Sequence, residues 1–415
     1  MFRHSETTKY VVIIGDGMAD YPVECIGGKT PLEAARTPNM DRIAMCHTGL
    51  VRSIPEGMEP GSDVANLSFM GYDPLVCHTG RAPFEAASMG IVLESSDVAF
   101  RMNLVCLKKG SDGKIIMKSH SAGDITTPEA TQIIKDLRRK MRLPSGINMY
   151  QGVAYRHLLV WKDGPESAHT IPPHDVLDQD MSFYLSRKEH DTIVELIRSS
   201  WQYLENHPVN LVRRANRLPE ANSIWLWGQG RAPRLQDFHE KFGLKGGIIS
   251  AVDLLKGIGI CAGLGPIHVE GATGYIDTNY RGKAEAAVRA LEQLDYVFVH
   301  IEAPDEAGHS GNAYEKIKAI EAVDREVVGN ILTGLAAFDD YRIMVASDHF
   351  TPVSKRTHTD EPTIFAWADK KQLETGEGEN GNNKKKITGF TEKAALQSGL
   401  FFEHGCSLAE VFLKL

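Results

Sequence analysis

The sequence has no CxxC pair. Its six cysteines stand apart, at positions 25, 46, 77, 106, 261 and 406. That excludes a zinc ribbon and offers no disulfide framework, and scattered thiols suit a reducing compartment. Long apolar runs are also missing. The N-terminal segment holds only Val11 to Ile14, too short for a signal-peptide core or for the roughly 20 residues that cross a bilayer. No other span is found, so a cytoplasmic protein with no membrane partner is expected. Neither sign of charge dominates: the net charge is −8, with both signs spread along the chain. This argues against general nucleic-acid or membrane-surface binding. Small anions remain open, because they need only a local cluster of Arg and Lys. No internal repeat is present.

What remains is a soluble globular composition, 42% hydrophobic and 24% charged. A length of 415 residues exceeds one ordinary core, so two or three domains are expected. Tyr10 to Ile14 reads as a buried parallel strand that breaks at Gly15-Asp16-Gly17. The pattern recurs at Tyr296 to Ile301, which runs into Glu302-Ala303-Pro304-Asp305, and at Arg342 to Ala346, which runs into Ser347-Asp348-His349. Thr363 to Trp367 is a further strand, and Thr37 to Asp41 opens a helix. The middle differs. Val98 to Leu107 alternates with period 2, then a Gly110-Ser111-Asp112-Gly113 turn leads to Lys114 to Lys118, a hairpin signal. Pro128 to Met141 and Lys188 to Asn206 read as helices. Arg156, Arg213, Arg214, Arg217, Arg231 and Arg234 concentrate basic charge here. The expected organisation is a discontinuous core, 1–78 with 248–415, and a second domain inserted over 79–247. Thr375 to Lys386 reads as an exposed loop or hairpin tip.

Ligands in open α/β sheets gather at the carboxyl ends of strands, and these ends carry chemistry. Asp305 and His309 are four apart, on one side of a helical turn. Asp348 and His349 are adjacent, His358 follows, and Asp16 comes from the first strand. Three carboxylates with three imidazoles suit Mn²⁺, Zn²⁺ or similar ions better than Ca²⁺. Six ligands are too many for one catalytic ion with an open position. They fit two, an arrangement that stabilises attacking and leaving oxygens in phosphoryl transfer. Ser62 follows the Pro60-Gly61 turn and opens a helix marked by Val64, Leu67 and Phe69. Alone it reads as a helix cap. Beside such ions it is a candidate nucleophile, helped by the helix N-terminus.

Together, Gly15-Asp16-Gly17-Met18, Gly61-Ser62-Asp63, APDEAGHSG at 303–311 and SDHFTP at 347–352 with His358 resemble the alkaline-phosphatase superfamily. Within it the chain is similar to the archaeal-type branch of the 2,3-bisphosphoglycerate-independent phosphoglycerate mutases. GKTPLEAARTPNMDRIA at 28–44, GRAPFEAASMGI at 80–91, WGQGRAPRL at 227–235 and GATGYIDTNYRGKAEAA at 271–287 extend the likeness over nearly the whole chain. The resemblance implies an α/β, alkaline-phosphatase-like core with a mostly parallel central sheet flanked by helices, plus an inserted α+β cap. It implies interconversion of 3-phosphoglycerate and 2-phosphoglycerate through a phosphoserine, without 2,3-bisphosphoglycerate. Asp305, His309 and His358 would hold one ion. Asp16, Asp348, His349 and Ser62 would hold the other. Mn²⁺ is the leading choice, with Co²⁺, Zn²⁺ and Mg²⁺ as alternatives. His120, Arg231 and Arg234 would meet the small phosphorylated carboxylic acid, with Lys256 and Arg156 as looser matches and Asp175 a guess for a similar duty. An Arg-rich cap would grip the carboxylate and close over the site. The chain departs from the larger bacterial branch after His120, where Ser121-Ala122-Gly123 replaces a His-rich motif, and no Arg-Asp pair is evident at 161–173. The alternatives are a metal-dependent phosphohydrolase of the same superfamily, a pentose-phosphate mutase and a non-catalytic metal-binding protein.

Overall fold

Valine and isoleucine dominate the segment Lys9–Gly15 (β1), and Val11, Ile13 and Ile14 are wholly buried. A strand buried on both faces belongs inside a parallel sheet. The structure, a computed structural model, describes residues 8–186, 191–376 and 389–413. The chain forms two units: Met1–His78 with Arg234–Leu415, and Thr79–Pro233. In chain order β1 is followed by β2 (His47–Val51). The inserted unit then holds β3 (Asp97–Lys109), β4 (Ile115–Ser119), β5 (Ile147–Tyr150), β6 (Arg156–Lys162) and β7 (Ser223–Gly230). The core resumes with β8 (Gly246–Ile249), β9 (Gly265–Pro266), β10 (Tyr296–Ile301), β11 (Tyr341–Ala346), β12 (Thr363–Asp369) and β13 (Phe401–Phe402). The Thr375–Lys386 stretch lies outside the described residues except for Thr375 and Gly376, and so do residues 188–190 of the expected helix, which is seen as Asp191–Leu204.

The core sheet has eight strands in the order β13-β2-β12-β11-β1-β10-β8-β9. Every neighbouring pair is parallel except the two made by β12. This arrangement has a direct consequence for function. β11, β1 and β10 are adjacent and parallel, so Asp348, Asp16 and Asp305 emerge at one edge. β12 runs the other way, and its Phe365 pairs with Ala346 at the end of β11. The connecting loop, which carries His358, therefore stays at that edge. β2 ends there too, with Val51 opposite Thr363. The loop that follows β2 leads to the helix Ser62–Phe69.

The inserted unit is an antiparallel sheet, β4-β3-β6-β5 with β7 also on β3. The helix Thr127–Lys140 begins at a capping box between Thr126 and Glu129. The return to the core falls at 233/234, earlier than the expected 247. Phe238 explains the difference: its ring lies 4.5 Å from that of Tyr296, the first residue of β10. Arg213, one of the basic residues concentrated in this stretch, is buried and structural. It donates to Glu129 and to the carbonyls of Ala122, Gly123 and Pro219.

His157 on β6 makes this unit sensitive to acid. Burial pushes its pKa down to about 4, and its Nδ1 accepts the Gly152 N–H at 3.0 Å. The folded value lies below the unfolded one of about 6.5. Between the two, only the unfolded chain holds the proton. The contribution is therefore complete above pH 6.5 and is lost as pH falls toward 4. At about 1.36 kcal/mol per unit, the loss reaches about 3 kcal/mol. His157→Gln keeps an acceptor and cannot titrate. The stability advantage of wild type over this variant should shrink by that amount between pH 7 and pH 4, measured by urea denaturation. An unchanged difference would show that His157 is not held neutral.

Candidate metal centre

Three elements deliver ligand-type side chains to the carboxyl edge of the core sheet. The helix Ala303–Ser310 begins with Pro304 in its first turn and carries Asp305 and His309 on one side. His309 Nε2 lies 3.1 Å from Asp305 Oδ2, His358 Nε2 lies 3.5 Å from Asp305 Oδ1, and the two imidazole nitrogens are 3.0 Å apart. His309 Nδ1–H donates to the Arg356 carbonyl at 3.0 Å, which leaves Nε2 bare for an ion. His358 Nδ1 faces the Pro60 carbonyl at 3.4 Å with the same result.

The second cluster is fully buried. Asp16, Asp348 and His349 have no exposed surface. His349 Nε2 stands 3.4 Å from Asp16 Oδ1, 3.6 Å from Asp348 Oδ2 and 3.2 Å from Ser62 Oγ. Asp348 is held by the N–H of Gly17 and of His349 through Oδ1, and by Asn66 Nδ2 through Oδ2. Asn66 also donates to the Ser62 carbonyl at 2.8 Å. Gly17 has φ +58°, and a Cβ there would come within 2.7 Å of Asp305 Oδ1. Only glycine lets the backbone pass so close to the carboxylate.

The electrostatics fit divalent ions. Among the described residues, three groups hold ligand atoms within 4.8 Å of one another: Asp305, His309 and His358; Asp16, His300 and Asp348; Asp16, Asp305 and His349. Asp16 Oδ1 is buried with no hydrogen-bond partner. Burial, then the carboxylates of Asp348 and Glu302, raise the Asp16 pKa well above the usual range. Glu302 is pushed up to about 8 by burial and then by Asp305. Burial opposes ionisation of Asp305, yet His309 and His358 outweigh it and hold its carboxyl well below the usual value. His309 is correspondingly raised to about 9, against the effect of burial. Four converging carboxylates beside His349, whose imidazole pKa burial pushes down to about 4, call for cationic charge, which divalent ions supply.

Two neighbours escape the sequence reading. His300 on β10 places Nε2 2.9 Å from Asp16 Oδ2, with Ser250 Oγ 3.3 Å from its Nδ1. Glu302 Oε2 lies 3.7 Å from His300 Nε2. A lone imidazole inside the apolar run YVFVHI was the signal available for His300.

The expected substrate residues are more dispersed. His120 follows β4 in the inserted unit, half-buried, with the rings of Tyr155 and His174 at 5.6 and 6.2 Å. Arg156 leans over Tyr155 with 5.5 Å to the ring. Arg231 Nε donates to Glu166 at 2.6 Å and its Nη1 to the Ser95 carbonyl. Arg234 falls in the core unit and is exposed, so the pair spaced by three straddles the boundary. Lys256 Nζ donates to Asp253 at 3.1 Å, one turn back on its own helix. Asp175 is exposed, 3.5 Å from His174.

Known proteins place this geometry in a family. Residues 44–210 match the family described as 2,3-bisphosphoglycerate-independent phosphoglycerate mutase. A protein of that name from Methanosarcina acetivorans is 52% identical, covering 86% of this chain and 90% of its own. A solved structure from Pyrococcus horikoshii has TM-score 0.80 at 29% identity, over 98% of this chain and 97% of that one. The cofactor-independent phosphoglycerate mutase of Thermoplasma acidophilum shares the fold, with TM-score 0.58 at 23% identity over 98% and 99% of the two chains. With half its residues identical over most of its length, and with the ligand clusters assembled at one sheet edge, the chain belongs to the 2,3-bisphosphoglycerate-independent phosphoglycerate mutase family.

Proposed function

We propose that this mutase carries its phosphoryl group on Ser62 while it isomerises 3-phosphoglycerate and 2-phosphoglycerate. The single observation behind this is the hydroxyl of Ser62 3.2 Å from His349 Nε2, at the head of a helix and beside buried Asp16 and Asp348. Asp305, His309 and His358 would hold one divalent ion, and Asp16, Asp348 and His349 with Ser62 would hold the other. Mn²⁺ is our choice, with Co²⁺, Zn²⁺ and Mg²⁺ as alternatives. Such ions, when bound, neutralise charge on the transferring phosphoryl oxygens.

The chain's own groups supply the rest. Ser62 attacks phosphorus in line with the departing glycerate oxygen. Its helix begins there, and a helix N-terminus favours the incoming phosphate. Asn66 keeps Asp348 and the Ser62 backbone in register. The phosphoserine then returns its phosphoryl group to the other hydroxyl of the retained glycerate. We assign His120, Arg156, Arg231, Arg234 and Lys256 to holding the carboxylate and phosphate, because a multiply charged anion needs several cationic partners. Among the described residues no helix is long and apolar enough to cross a membrane, and the six cysteines are free thiols. We place the enzyme in the cytoplasm on that chemistry.

The test is a coupled assay on metal-stripped protein, with no bisphosphoglycerate and each metal restored in turn. Full mutase activity with Mn²⁺ and no bisphosphoglycerate is expected. Release of inorganic phosphate in place of 2-phosphoglycerate would refute the transfer route.

A further inference from the structure

The two ligand clusters share one small residue. Thr351 Oγ1 lies 2.5 Å from Asp305 Oδ1 and 3.2 Å from His349 Nδ1. The hydroxyl has one proton to donate, and donates it in a hydrogen bond to Asp305 Oδ1. The oxygen is then left to accept from His349 Nδ1–H, which fixes the tautomer and bares Nε2 toward Ser62 and Asp16. Thr351 is also tightly seated. A Cβ on Gly17 would meet its Oγ1 at 2.5 Å, and one on Gly308 would meet its carbonyl oxygen at the same distance.

That carbonyl is gripped by a buried ammonium. Lys316, with no exposed surface, donates to the Thr351 carbonyl at 2.9 Å, to Asp20 Oδ2 at 2.7 Å and to the Ala19 carbonyl at 3.2 Å. All three of its protons are used. Ala19 and Asp20 belong to the loop that carries Asp16. Thr351 belongs to the loop that carries Asp348 and His349. Lys316 sits in the helix Ala313–Ala322, next after the one bearing Asp305 and His309. One cation thus ties the two loops that carry Asp16, Asp348 and His349 to the helix that directly follows Asp305 and His309. A buried ion pair is a poor device for stability alone, since apolar residues of similar size often serve as well. We propose that Lys316, acting through Thr351, is a positioning residue that sets the spacing of the two metal clusters and the orientation of His349.

This inference rests on the two-metal reading, so wild type is titrated first. Metal-stripped protein should bind two equivalents of Mn²⁺ by calorimetry. The double variant Asp20→Asn/Lys316→Met removes the grip without leaving a lone buried charge, and circular dichroism checks its fold. Its Mn²⁺ affinity should fall about 10–100-fold, the usual cost of losing an outer-shell partner. The kcat loss should be recovered at saturating Mn²⁺, with KM for 3-phosphoglycerate unchanged. Thr351→Val, which deletes only the shared hydroxyl, should weaken Mn²⁺ equally, and Thr351→Ser should restore it. Folded variants that bind Mn²⁺ like wild type would overturn the proposal. If the double variant does not fold, Thr351→Val decides alone: unchanged affinity there overturns it. A wild type that binds no Mn²⁺ overturns the two-metal reading first.

Discussion

Ser62→Ala is expected to lower kcat by about four orders of magnitude or more, the scale seen when a covalent nucleophile is removed. The effect is this large because every turnover requires the hydroxyl twice, once to accept and once to return the phosphoryl group. Folding should be untouched. Asn66 holds the Ser62 main chain through its carbonyl, which alanine retains. Ser62 makes no side-chain cap, since the N-cap is Gly61, so a stability change within about 1 kcal/mol is expected. Mn²⁺ binding should persist at nearly normal affinity, because Asp16, Asp348 and His349 remain. Radiolabelled phosphate should appear on the wild-type protein after brief exposure to substrate and not on the variant. A variant that keeps even a tenth of wild-type turnover would show that Ser62 does not carry the group.

Chelation should have the second largest effect. Stripping divalent metal is expected to abolish mutase activity, to below about 1% if each ion contributes several kcal/mol to the transition state. It should also lower the thermal midpoint. Asp16, Glu302, Asp305 and Asp348 converge in a space where the first two are already driven toward the protonated form. Counter-ions that bind only the folded state add about 2.7 kcal/mol each at a hundred times their dissociation constant. Two sites would therefore raise stability by about 5 kcal/mol. Melting curves with EDTA, then with Mn²⁺ restored, measure this directly. A midpoint indifferent to metal would argue that protons, not cations, balance the four acids.

The parts of the site legible in the sequence share a physical cause. A buried parallel strand must be apolar, so acidic residues soon after it are conspicuous. That is why Asp16, Asp305 and Asp348 could be read, while Glu302, directly after β10, was passed over for Asp305 because only the latter is paired at i, i+4 with a histidine. The i, i+4 spacing brought His309, and the helix opening after Pro60-Gly61 brought Ser62. Residues that act from within regular structure left weaker marks. His300 lies inside β10, and Lys316 reads as an ordinary helix lysine until its burial is known. Thr351 gains its role from a contact with Asp305, 46 positions away. Fold class was legible because apolar strands ending in acids alternate with helices, while the central hairpin of β3 and β4 announced antiparallel structure. The return boundary was set too late because Phe238 looks like any helix phenylalanine, and only its contacts, with the ring of Tyr296 and the carbonyl of Ala262, assign it to the core. Arginine count misled for a related reason. Composition cannot distinguish Arg213, spent on carbonyls and Glu129, from an arginine free to meet a ligand.

The pairing of β1 has a consequence for biosynthesis. Its neighbours β10 and β11 are translated 286 and 332 residues later, with Tyr10 opposite Tyr296 and Arg342. Its backbone groups find no sheet partner until then. The inserted unit closes upon itself well before, so it is free to form on the ribosome while the first strand still waits. No nascent fragment ending before residue 348 can bring Asp16, Asp305 and Asp348 together, so the acidic centre is a late product of synthesis.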